Sequence, residues 1–455
     1  MKTYDAMVIG SGCGMLIVEE ALGHGLNVAL VDKGPVGGTC LNVGCIPSKM
    51  LIYPADRMVE IQTARKLGIE ANVTRANFRR IMGRMRKTIS EDVQKVRKGV
   101  SQLEGLDFYE AQGHFIDDYT LQVEGERLRA ETVFLASGSR PLIPPIEGID
   151  TVDYLTNESV LQLEQRPQSL VIVGGGYIGV EYGHFFAAMG TEVTILEMAD
   201  RLVQVEEPEV SALLKQELGR RMEVVTGAQV QQVRKDGGGV AVAVRDTISN
   251  ATMDFSAEKV LVAVGRRSNA DLLHVQKTGV ETDKRGFVQV NRYLETSKES
   301  IYAVGDANGL FMFTHVANRE AQVAAHNALH GEKMEMDYSA IPHAVYSWPQ
   351  IASVGLTEAS AKAQRAVVVG RARYYDTAKG QAMAEESGFV KAVVDRENGD
   401  ILGFHVIGPY APILIQEVVN AMASGGQVEE IHAGIHIHPA LPELVQVVLS
   451  NLEEV

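Results

Sequence analysis

Cysteine is scarce in this sequence. Only 3 of the 455 residues are Cys, which excludes a secreted framework held together by several disulfides. Two of them, Cys40 and Cys45, lie five positions apart, and in a reducing compartment such a pair is usually catalytic or binds a metal. A zinc site needs about four ligands, and the chain has no second cysteine pair. We therefore predict a redox pair and no metal.

Positive charge and long apolar runs are also lacking. The chain has 43 Lys and Arg against 58 Asp and Glu, and its net charge is -15 without a basic stretch, which excludes nucleic acid and anionic membrane surfaces as expected partners. No run of about 18 apolar residues predicts a membrane-spanning helix. The short apolar segment after Asp5 predicts a first strand rather than a signal peptide. We expect a cytoplasmic protein with soluble partners.

Two segments of the chain share one plan, and the length of 455 residues allows two or three domains. Each segment has an apolar strand, a glycine-rich turn, a helix and a second apolar strand that ends on an acidic residue. The first covers residues 6–32 and the second residues 170–197. This pattern is typical of a Rossmann-like dinucleotide-binding fold, in which N–H groups at the helix N-terminus bind a pyrophosphate. The predicted phosphate-binding glycines are Gly10, Gly12 and Gly14 in the first turn and Gly174, Gly176 and Gly179 in the second.

The acidic residues that end these segments bear on which nucleotide binds. Asp32 and Glu197 are placed to accept hydrogen bonds from ribose hydroxyls. Because a carboxylate repels a 2′-phosphate, Glu197 favours NAD over NADP, although Arg201, four residues later, is suited to a phosphate. In the first turn Met15 takes the third glycine position of the pattern, which predicts looser packing of the helix on its strand.

Further landmarks predict an α/β protein with a third, C-terminal domain. Residues 262–265 close the second dinucleotide fold, and residues 301–306 have the pattern of a late strand that rejoins the first. After about residue 337 the nucleotide motifs end, and strands such as 389–394 alternate with helices, which predicts an α+β domain. The predicted ranges are 1–147 for the first dinucleotide domain, 148–264 for the second, 265–336 for the return to the first, and 337–455 for the C-terminal domain.

The spacing of the cysteine pair predicts an irregular helix. Residues five apart on an ideal helix lie roughly 8 Å apart, which is beyond disulfide reach. A bridge between Cys40 and Cys45 therefore requires a local distortion, and the neighbouring glycines allow it.

Segment 37–49, which contains both cysteines, resembles the redox-active motif of the pyridine nucleotide-disulfide oxidoreductases, and looks most like that of dihydrolipoamide dehydrogenase. Residues 136–139 are similar to the family's Ala-Thr-Gly turn, residues 303–306 to its second FAD motif, and residues 438–443 to its C-terminal catalytic motif. The resemblance extends over essentially the whole chain. It implies FAD on the first fold, NAD on the second, and a homodimer formed through the C-terminal domain.

The resemblance also implies roles for individual residues. It assigns thiol exchange with the substrate to Cys40 and the flavin side to Cys45. It pairs Lys49 with Glu181 beside the flavin and gives Asp306 to the ribityl chain of FAD. It implies that His438 is the base for thiol exchange and that Glu443 orients it, as a carboxylate does in a catalytic triad. The other residues predicted to bind a cofactor are Lys33, Gly38, Thr39, Gly138 and Gly265.

Several substrates remain open. Mercuric reductases and large thioredoxin reductases add a C-terminal cysteine pair that this chain lacks, and glutathione reductase commonly has arginines where this chain has Glu197 and Val203. Residues 315–321 and the His-Pro-Ala-Leu-Pro-Glu run look at least as much like mycothione reductase as like lipoamide enzymes. We therefore expect NAD-linked oxidation of a dihydrolipoyl group on a lipoyl carrier protein, with reduction of a small disulfide such as mycothiol disulfide as the alternative.

A third hypothesis is a non-redox FAD-binding component. It is disfavoured because the chain has all five residues that the redox chemistry of the family requires, namely Cys40, Cys45, Lys49, His438 and Glu443.

Overall fold

A computed structural model describes all 455 residues and divides the chain into two compact units. The first unit comprises Met1–Ser48, Gly83–Leu142 and Gly265–Asp337, and the second comprises Lys49–Met82, Ile143–Val264 and Tyr338–Val455. The four domain ranges drawn from the sequence stay a prediction.

The chain alternates between strands and helices. The strands are β1 (Lys2–Ile9), β2 (Val28–Val31), β3 (Leu106–Tyr109), β4 (Gly113–Asp117), β5 (Thr120–Val123), β6 (Glu126–Leu135), β7 (Ser139–Pro141), β8 (Ser169–Val173), β9 (Glu192–Glu197), β10 (Glu223–Thr226), β11 (Ala228–Asp236), β12 (Gly239–Asp246), β13 (Thr252–Ala257), β14 (Lys259–Val262), β15 (Arg266–Ser268), β16 (Ile301–Ala303), β17 (Pro342–Val345), β18 (Ile351–Gly355), β19 (Val367–Arg373), β20 (Phe389–Asp395), β21 (Ile401–Ile407) and β22 (Leu452–Glu454). The α-helices are α1 (Gly14–Gly23), α2 (Gly38–Asn42), α3 (Cys45–Thr63), α4 (Phe78–Val100), α5 (Tyr177–Ala188), α6 (Pro208–Leu218), α7 (Ala270–Leu273), α8 (Thr314–Leu329), α9 (Glu358–Lys362), α10 (Ala378–Ala382), α11 (Ala411–Ser424), α12 (Val428–His432) and α13 (Glu443–Ser450).

The first unit is built on a seven-stranded sheet of order β3-β2-β1-β6-β5-β4, with β16 also paired to β6. Strands β1, β2, β3, β6 and β16 pair in parallel, and the last four residues of β1 are all buried, as expected of a parallel strand covered on both faces. Strand β16 pairs with β6 although 165 residues separate Leu135 from Ile301, so the strand predicted at residues 301–306 does rejoin the first sheet.

The second unit contains a parallel sheet of order β10-β9-β8-β14, which repeats the order of β3-β2-β1-β6. This order is that of half a Rossmann fold, so the chain holds two such folds. The same unit also contains the three-stranded sheet β11-β12-β13 and the six-stranded antiparallel sheet β17-β18-β21-β20-β19-β22. Helices α11 and α13 pack on the six-stranded sheet around buried residues that include Tyr374, Phe404, Val418 and Val448. The predicted α/β architecture with a C-terminal α+β domain is confirmed.

Ion pairs are buried inside the second unit. Lys391 is 1% exposed, and its Nζ lies 2.9 Å from Glu207, 3.0 Å from Glu209 and 2.8 Å from Glu358. Burial alone would lower the pKa of Lys391, but the hydrogen bonds to these carboxylates raise it. The cluster is therefore charged, and it fixes the start of α6 against β20 and α9.

None of the helices combines the length and the apolar character that crossing a bilayer requires. The longest of them, α4, follows a stripe of apolar residues spaced three and four apart, and it ends at Val100.

Candidate active site

The two cysteines lie on either side of a break between helices. Helix α2 ends at Asn42, and α3 begins at Cys45. At Gly44 a Cβ atom would lie 2.8 Å from the Thr39 carbonyl oxygen and 3.1 Å from the Cα of Cys40, so only glycine allows the chain to reverse this tightly. The predicted distortion of the helix between the cysteines is confirmed. Both residues are thiols in the structure, Cys45 exposed and Cys40 partly buried.

The sulfur of Cys40 accepts hydrogen bonds at the N-terminus of α3. The hydrogen bond from the Cys45 thiol has the largest effect on the pKa of Cys40. Further hydrogen bonds come from the Thr314 hydroxyl and from the backbone N–H groups of Cys45 and Ile46. Together they lower the pKa of Cys40 to about 6 against burial, which raises it. The Thr314 hydroxyl also lies 3.8 Å from the Cys45 sulfur, so one side chain contacts both sulfurs. Cys40 is thus a thiolate at neutral pH.

The first glycine turn is packed so closely against neighbouring backbone that Gly10 and Gly38 have no room for a side chain. A Cβ at Gly10 would lie 2.1 Å from the Ala136 carbonyl oxygen, and a Cβ at Gly38 would lie 2.6 Å from the Cα of Gly12. The backbone of the segment that leads to Cys40 is therefore in direct contact with the backbone of the turn. No side chain caps the N-terminus of α1, as an anion-binding helix start requires.

Gly14 takes over the packing role that the sequence pattern gives to the position of Met15. It is buried, and a Cβ there would lie 2.8 Å from a Val8 side-chain carbon. Helix and strand therefore touch closely at this point, and the looser packing expected from Met15 is not found.

The second glycine turn repeats the first. Gly10 and Gly174 have φ of 109° and 111°, and Cβ atoms at Gly174 and Gly179 would lie 2.4 Å and 2.0 Å from backbone carbonyl oxygens. Helix α5 likewise begins without a side-chain cap. Both turns fit the pyrophosphate of a dinucleotide.

In each fold the acidic residue at the end of the second strand accepts hydrogen bonds from the glycine turn of the same fold and from the loop that follows the strand. Asp32 accepts from the backbone N–H and hydroxyl of Ser11, at 2.6 Å and 2.5 Å, and from the N–H of Gly34 at 2.8 Å. Glu197 accepts from the N–H groups of Gly175 and Ala199, at 2.5 Å and 2.8 Å.

The remaining predicted cofactor residues lie around these turns. Arg201 donates to the carbonyl of Gln204 at 3.0 Å. Lys33 is exposed, and Gly265, which has a φ of 129°, lies three positions after the end of β14. A Cβ at Gly138 would lie 4.0 Å from the hydroxyl of Thr39, which brings these two predicted residues together.

Asp306 is held by residues that the sequence patterns did not single out for it. The Ser139 hydroxyl donates to its carboxylate, and the Nε of Arg266 lies 3.5 Å from the same carboxylate and donates to Ser139 at 2.6 Å. Fully buried Glu320 accepts from the N–H of Gly305 at 2.5 Å and so fixes the turn that precedes Asp306.

Lys49 and Glu181 form the predicted pair. The Lys49 ammonium lies 2.7 Å from one carboxylate oxygen of Glu181, which is 5% exposed, and 4.8 Å from the centre of the Tyr346 ring. The other oxygen accepts from the Tyr346 N–H at 3.0 Å. The ammonium therefore has a fixed position between a carboxylate and an aromatic face.

His438 and Glu443 also pair as predicted. The Nδ1 of His438 lies 2.8 Å from one Glu443 oxygen, and the Ala440 N–H donates to the other at 2.8 Å. These hydrogen bonds, that of His438 first, lower the pKa of Glu443. A carboxylate at Nδ1 leaves Nε2 as the atom that can take a proton. The imidazole is 72% exposed, and Ile435 and Ile437 beside it are also exposed.

Two family models cover most of the chain. Residues 4–321 match the model described as pyridine nucleotide-disulphide oxidoreductase, and residues 341–448 match the dimerisation domain of the same family. The chain belongs to the pyridine nucleotide-disulphide oxidoreductases. The second match supports a homodimer.

Relatives of this oxidoreductase include more than one enzyme. Mycothione reductase of Mycobacterium tuberculosis is 35% identical, with 99% of this chain and 100% of the relative covered. Dihydrolipoyl dehydrogenase of Bacillus subtilis is 33% identical, with 97% and 96% covered. Among solved structures, the HOCl-induced flavoprotein disulfide reductase RclA of Escherichia coli has a TM-score of 0.87 and 27% identity, with 98% of this chain and 99% of that chain covered. This chain is accordingly a flavoprotein disulfide oxidoreductase that uses FAD and a pyridine nucleotide.

Sequence reasoning missed one residue at the redox centre of this oxidoreductase. Thr314 touches both sulfurs from the first position of α8, 269 positions after Cys45 in the chain. The only signal in the sequence was its place directly before the 315–321 segment.

Proposed function

We propose that this oxidoreductase is an NAD-linked dihydrolipoyl dehydrogenase that oxidises a dihydrolipoyl group on a carrier protein. The observation that carries this proposal is the fixed carboxylate of Glu197 at the end of β9. It suits a free 2′-hydroxyl and repels a 2′-phosphate, while Arg201 is engaged by the Gln204 carbonyl.

The proposed cycle begins with Cys40 and Cys45 as a disulfide. A thiolate of the dihydrolipoyl group attacks the Cys40 sulfur, a mixed disulfide forms, and Cys45 leaves as a thiolate. The second lipoyl thiol then attacks the first lipoyl sulfur, which closes the cyclic disulfide and releases Cys40 as a thiolate. The substrate has lost two electrons and two protons, and the cysteine pair has gained the electrons.

The protein residues supply proton transfer and charge. We assign to Nε2 of His438 the removal of the lipoyl thiol protons, with Glu443 holding the ring and balancing its charge. Hydrogen bonds from Thr314 and the start of α3 stabilise Cys40 as the leaving thiolate. When bound there, FAD would supply the redox chemistry that links the reduced cysteine pair to a nicotinamide. The Gly10 turn, Thr39, Gly138 and Asp306 are the residues that we assign to holding it.

The exposed segment around His438 suggests how the site is completed. Ile435 is fully exposed and Ile437 is 77% exposed, and exposed apolar side chains that cluster in this way, unlike single ones, indicate a surface that a partner covers. We propose that His438 of the partner subunit serves the Cys40 of this chain across the two-fold interface.

A mixture of two inactive variants tests the shared site. Equal amounts of Cys40→Ser and His438→Gln chains, dissociated and reassociated at random, give mixed dimers in half of the population. Each mixed dimer has one site with both faults and one with none, so activity returns to about a quarter of wild type if the site is shared. No recovery, with exchange verified by mass, would place both residues in one chain.

The substrate is tested by a paired assay. Rates with dihydrolipoamide and NAD are compared with rates of mycothiol disulfide reduction by NADPH. The proposal predicts that kcat/KM is at least about 100-fold higher with dihydrolipoamide and NAD than with mycothiol disulfide and NADPH. One charged group with its hydrogen bond can produce a ratio of this size. A ratio in the opposite direction supports the second candidate.

The second candidate is reduction of a small disulfide such as mycothiol disulfide. It is favoured by the similarity to mycothione reductase over 99% of this chain. The His-Pro-Ala-Leu-Pro-Glu run at residues 438–443 also resembles that enzyme. Ala440, whose N–H donates to Glu443, is part of this run.

A further inference from the structure

Three metal-ligand side chains converge on the surface of the first unit, at the C-terminal ends of two packed helices. Glu20 and His24 lie one turn apart at the end of α1, and His330 directly follows α8. One carboxylate oxygen of Glu20, one ring nitrogen of His24 and one ring nitrogen of His330 all lie within 4.8 Å of one another. We propose that these three residues form a binding site for a divalent transition-metal ion of the Zn²⁺ and Cu²⁺ class.

The distances suit a metal ion that draws the ligands in slightly. The Glu20 oxygen lies 3.7 Å from Nε2 of His330 and 3.9 Å from Nδ1 of His24. Ligands of one ion at about 2.0–2.2 Å stand roughly 3–3.5 Å apart in tetrahedral geometry. The two distances to Glu20 therefore need to shorten by a few tenths of an ångström, and the separation of the two ring nitrogens, which is at most 4.8 Å, by no more than about 1.3–1.8 Å, which exposed side chains can do by rotation. All three residues are exposed, so water completes the coordination and a path for the ion is open.

The donor set selects the kind of ion. Two imidazoles and one carboxylate suit borderline ions such as Zn²⁺, Ni²⁺ and Cu²⁺, whereas Mg²⁺ and Ca²⁺ prefer sites built wholly of oxygen. By the usual order of stability, Cu²⁺ binds such a set more tightly than Zn²⁺ or Ni²⁺.

The surrounding backbone favours a cation. His24 and His330 are the C-cap residues of α1 and α8, where the helix dipole and the last carbonyl groups give negative potential. No basic residue occupies the last turn of α1. The ion therefore meets two helix C-termini and one carboxylate.

A neighbouring histidine supports one ligand. The ring of His326 stacks on that of His330 with centroids 4.6 Å apart, and its Nε2 lies 3.0 Å from the Glu332 carbonyl oxygen. This second imidazole limits the rotation of His330, as an outer contact does for a metal ligand.

Metal binding competes with one existing hydrogen bond. Nδ1 of His24 lies 3.0 Å from the backbone carbonyl oxygen of Glu20 and, since a carbonyl only accepts, donates to it. To bind metal through Nδ1, the ring moves its proton to Nε2 and gives up this bond. Because this hydrogen bond is exposed to water, its loss costs less free energy than a metal bond returns.

Calorimetric titration of the FAD-loaded enzyme with ZnCl₂ tests the site. The protein is stripped with EDTA and carries Cys40→Ser and Cys45→Ser, which removes the redox pair as a competing thiol site. We expect one ion per chain with a dissociation constant below about 0.1 mM, and no heat from MgCl₂.

Matched variants decide which residues bind. His24→Ala, His330→Ala and Glu20→Gln, each in the cysteine-free background, should weaken zinc binding by at least about tenfold. Glu19→Gln removes the same charge from the adjacent exposed position, and His114→Ala removes a histidine that pairs only with the His274 ring. Both controls should bind zinc like the parent. A dissociation constant of about 0.1 mM or weaker, or equal binding by the His330→Ala variant and its controls, would overturn the proposal.

Discussion

The acidity of Cys40 leads to a prediction about the reduced enzyme. A thiol with a pKa of about 6 is about 90% thiolate at pH 7, whereas an ordinary cysteine with a pKa of about 8.5 is about 3%. At pH 6 the two fractions are about 50% and about 0.3%. Alkylation of Cys40 by iodoacetamide should therefore rise through pH 6 and level off above about pH 7, instead of climbing to pH 9. The position of the rise is the measured quantity, because a more acidic thiolate is also a weaker nucleophile.

The hydrogen bonds at Cys40 predict the order of the variants. Thr314→Val removes one donor and should move the midpoint up by about half a unit to one unit. Cys45→Ala removes the largest contribution and should move it further. Thr314→Ser keeps the hydroxyl and serves as the control, with an unchanged midpoint.

The assay needs to resolve neighbouring thiols. Trypsin leaves both cysteines in one peptide, residues 34–49, so fragment ions between them must assign the label to Cys40 or Cys45. Cys13 provides an internal reference, because burial, with smaller effects from Glu320 and Asp306, raises its pKa to about 12. It should stay unlabelled throughout the range. A midpoint near 8.5 for Cys40, or equal midpoints in all variants, would refute this account of its acidity.

Three further outcomes are expected. Glu197→Gln should lower the NAD to NADP ratio of kcat/KM by about tenfold or more, since it removes a charge-assisted hydrogen bond, and an unchanged ratio would show that this residue does not meet the ribose. His438→Gln should lower turnover by about 10²-fold or more in steady-state assays, and near-normal turnover would exclude it as the base. Lys391→Met leaves Glu207 buried without its cation and should lower the free energy of unfolding by about 3–5 kcal/mol in urea titrations, whereas Arg371→Gln, which removes an exposed cation from the same cluster, should cost no more than about 1 kcal/mol.

The sequence was sufficient where local pattern dictates structure. Two strand, glycine turn and helix segments predicted both Rossmann folds, because a tight turn between a strand and a helix needs glycine at fixed positions. The spacing of Cys40 and Cys45 predicted the break between α2 and α3, since a continuous helix holds such residues apart. The pairs Lys49 with Glu181 and His438 with Glu443 came from the resemblance to the family, and the structure brings each pair together.

The sequence was insufficient where distant residues meet. Thr314 reaches the cysteines, and Arg266 and Glu320 hold the turn around Asp306, only because the chain returns to the first sheet through β16. No local pattern marks a hydroxyl or a guanidinium for such a role. The sequence also did not show that Gly14, and not the residue at position 15, is the one that packs against the strand. This depends on which face of α1 contacts Val8.

The way that Glu197 is held has a consequence for changing the nucleotide preference of this enzyme. Its carboxylate accepts hydrogen bonds from two backbone N–H groups, one in the turn and one after β9, so it shapes the loop in addition to the ribose contact that we propose for it. A direct exchange to arginine would strand both donors, at a cost of about 1–3 kcal/mol for each that stays buried. Glutamine has one carbonyl oxygen and so can still accept from one of these two N–H groups. The accessible route to an NADP enzyme, in evolution or in the laboratory, therefore passes through such a residue, and a cation is gained at a neighbouring position before the acid is lost.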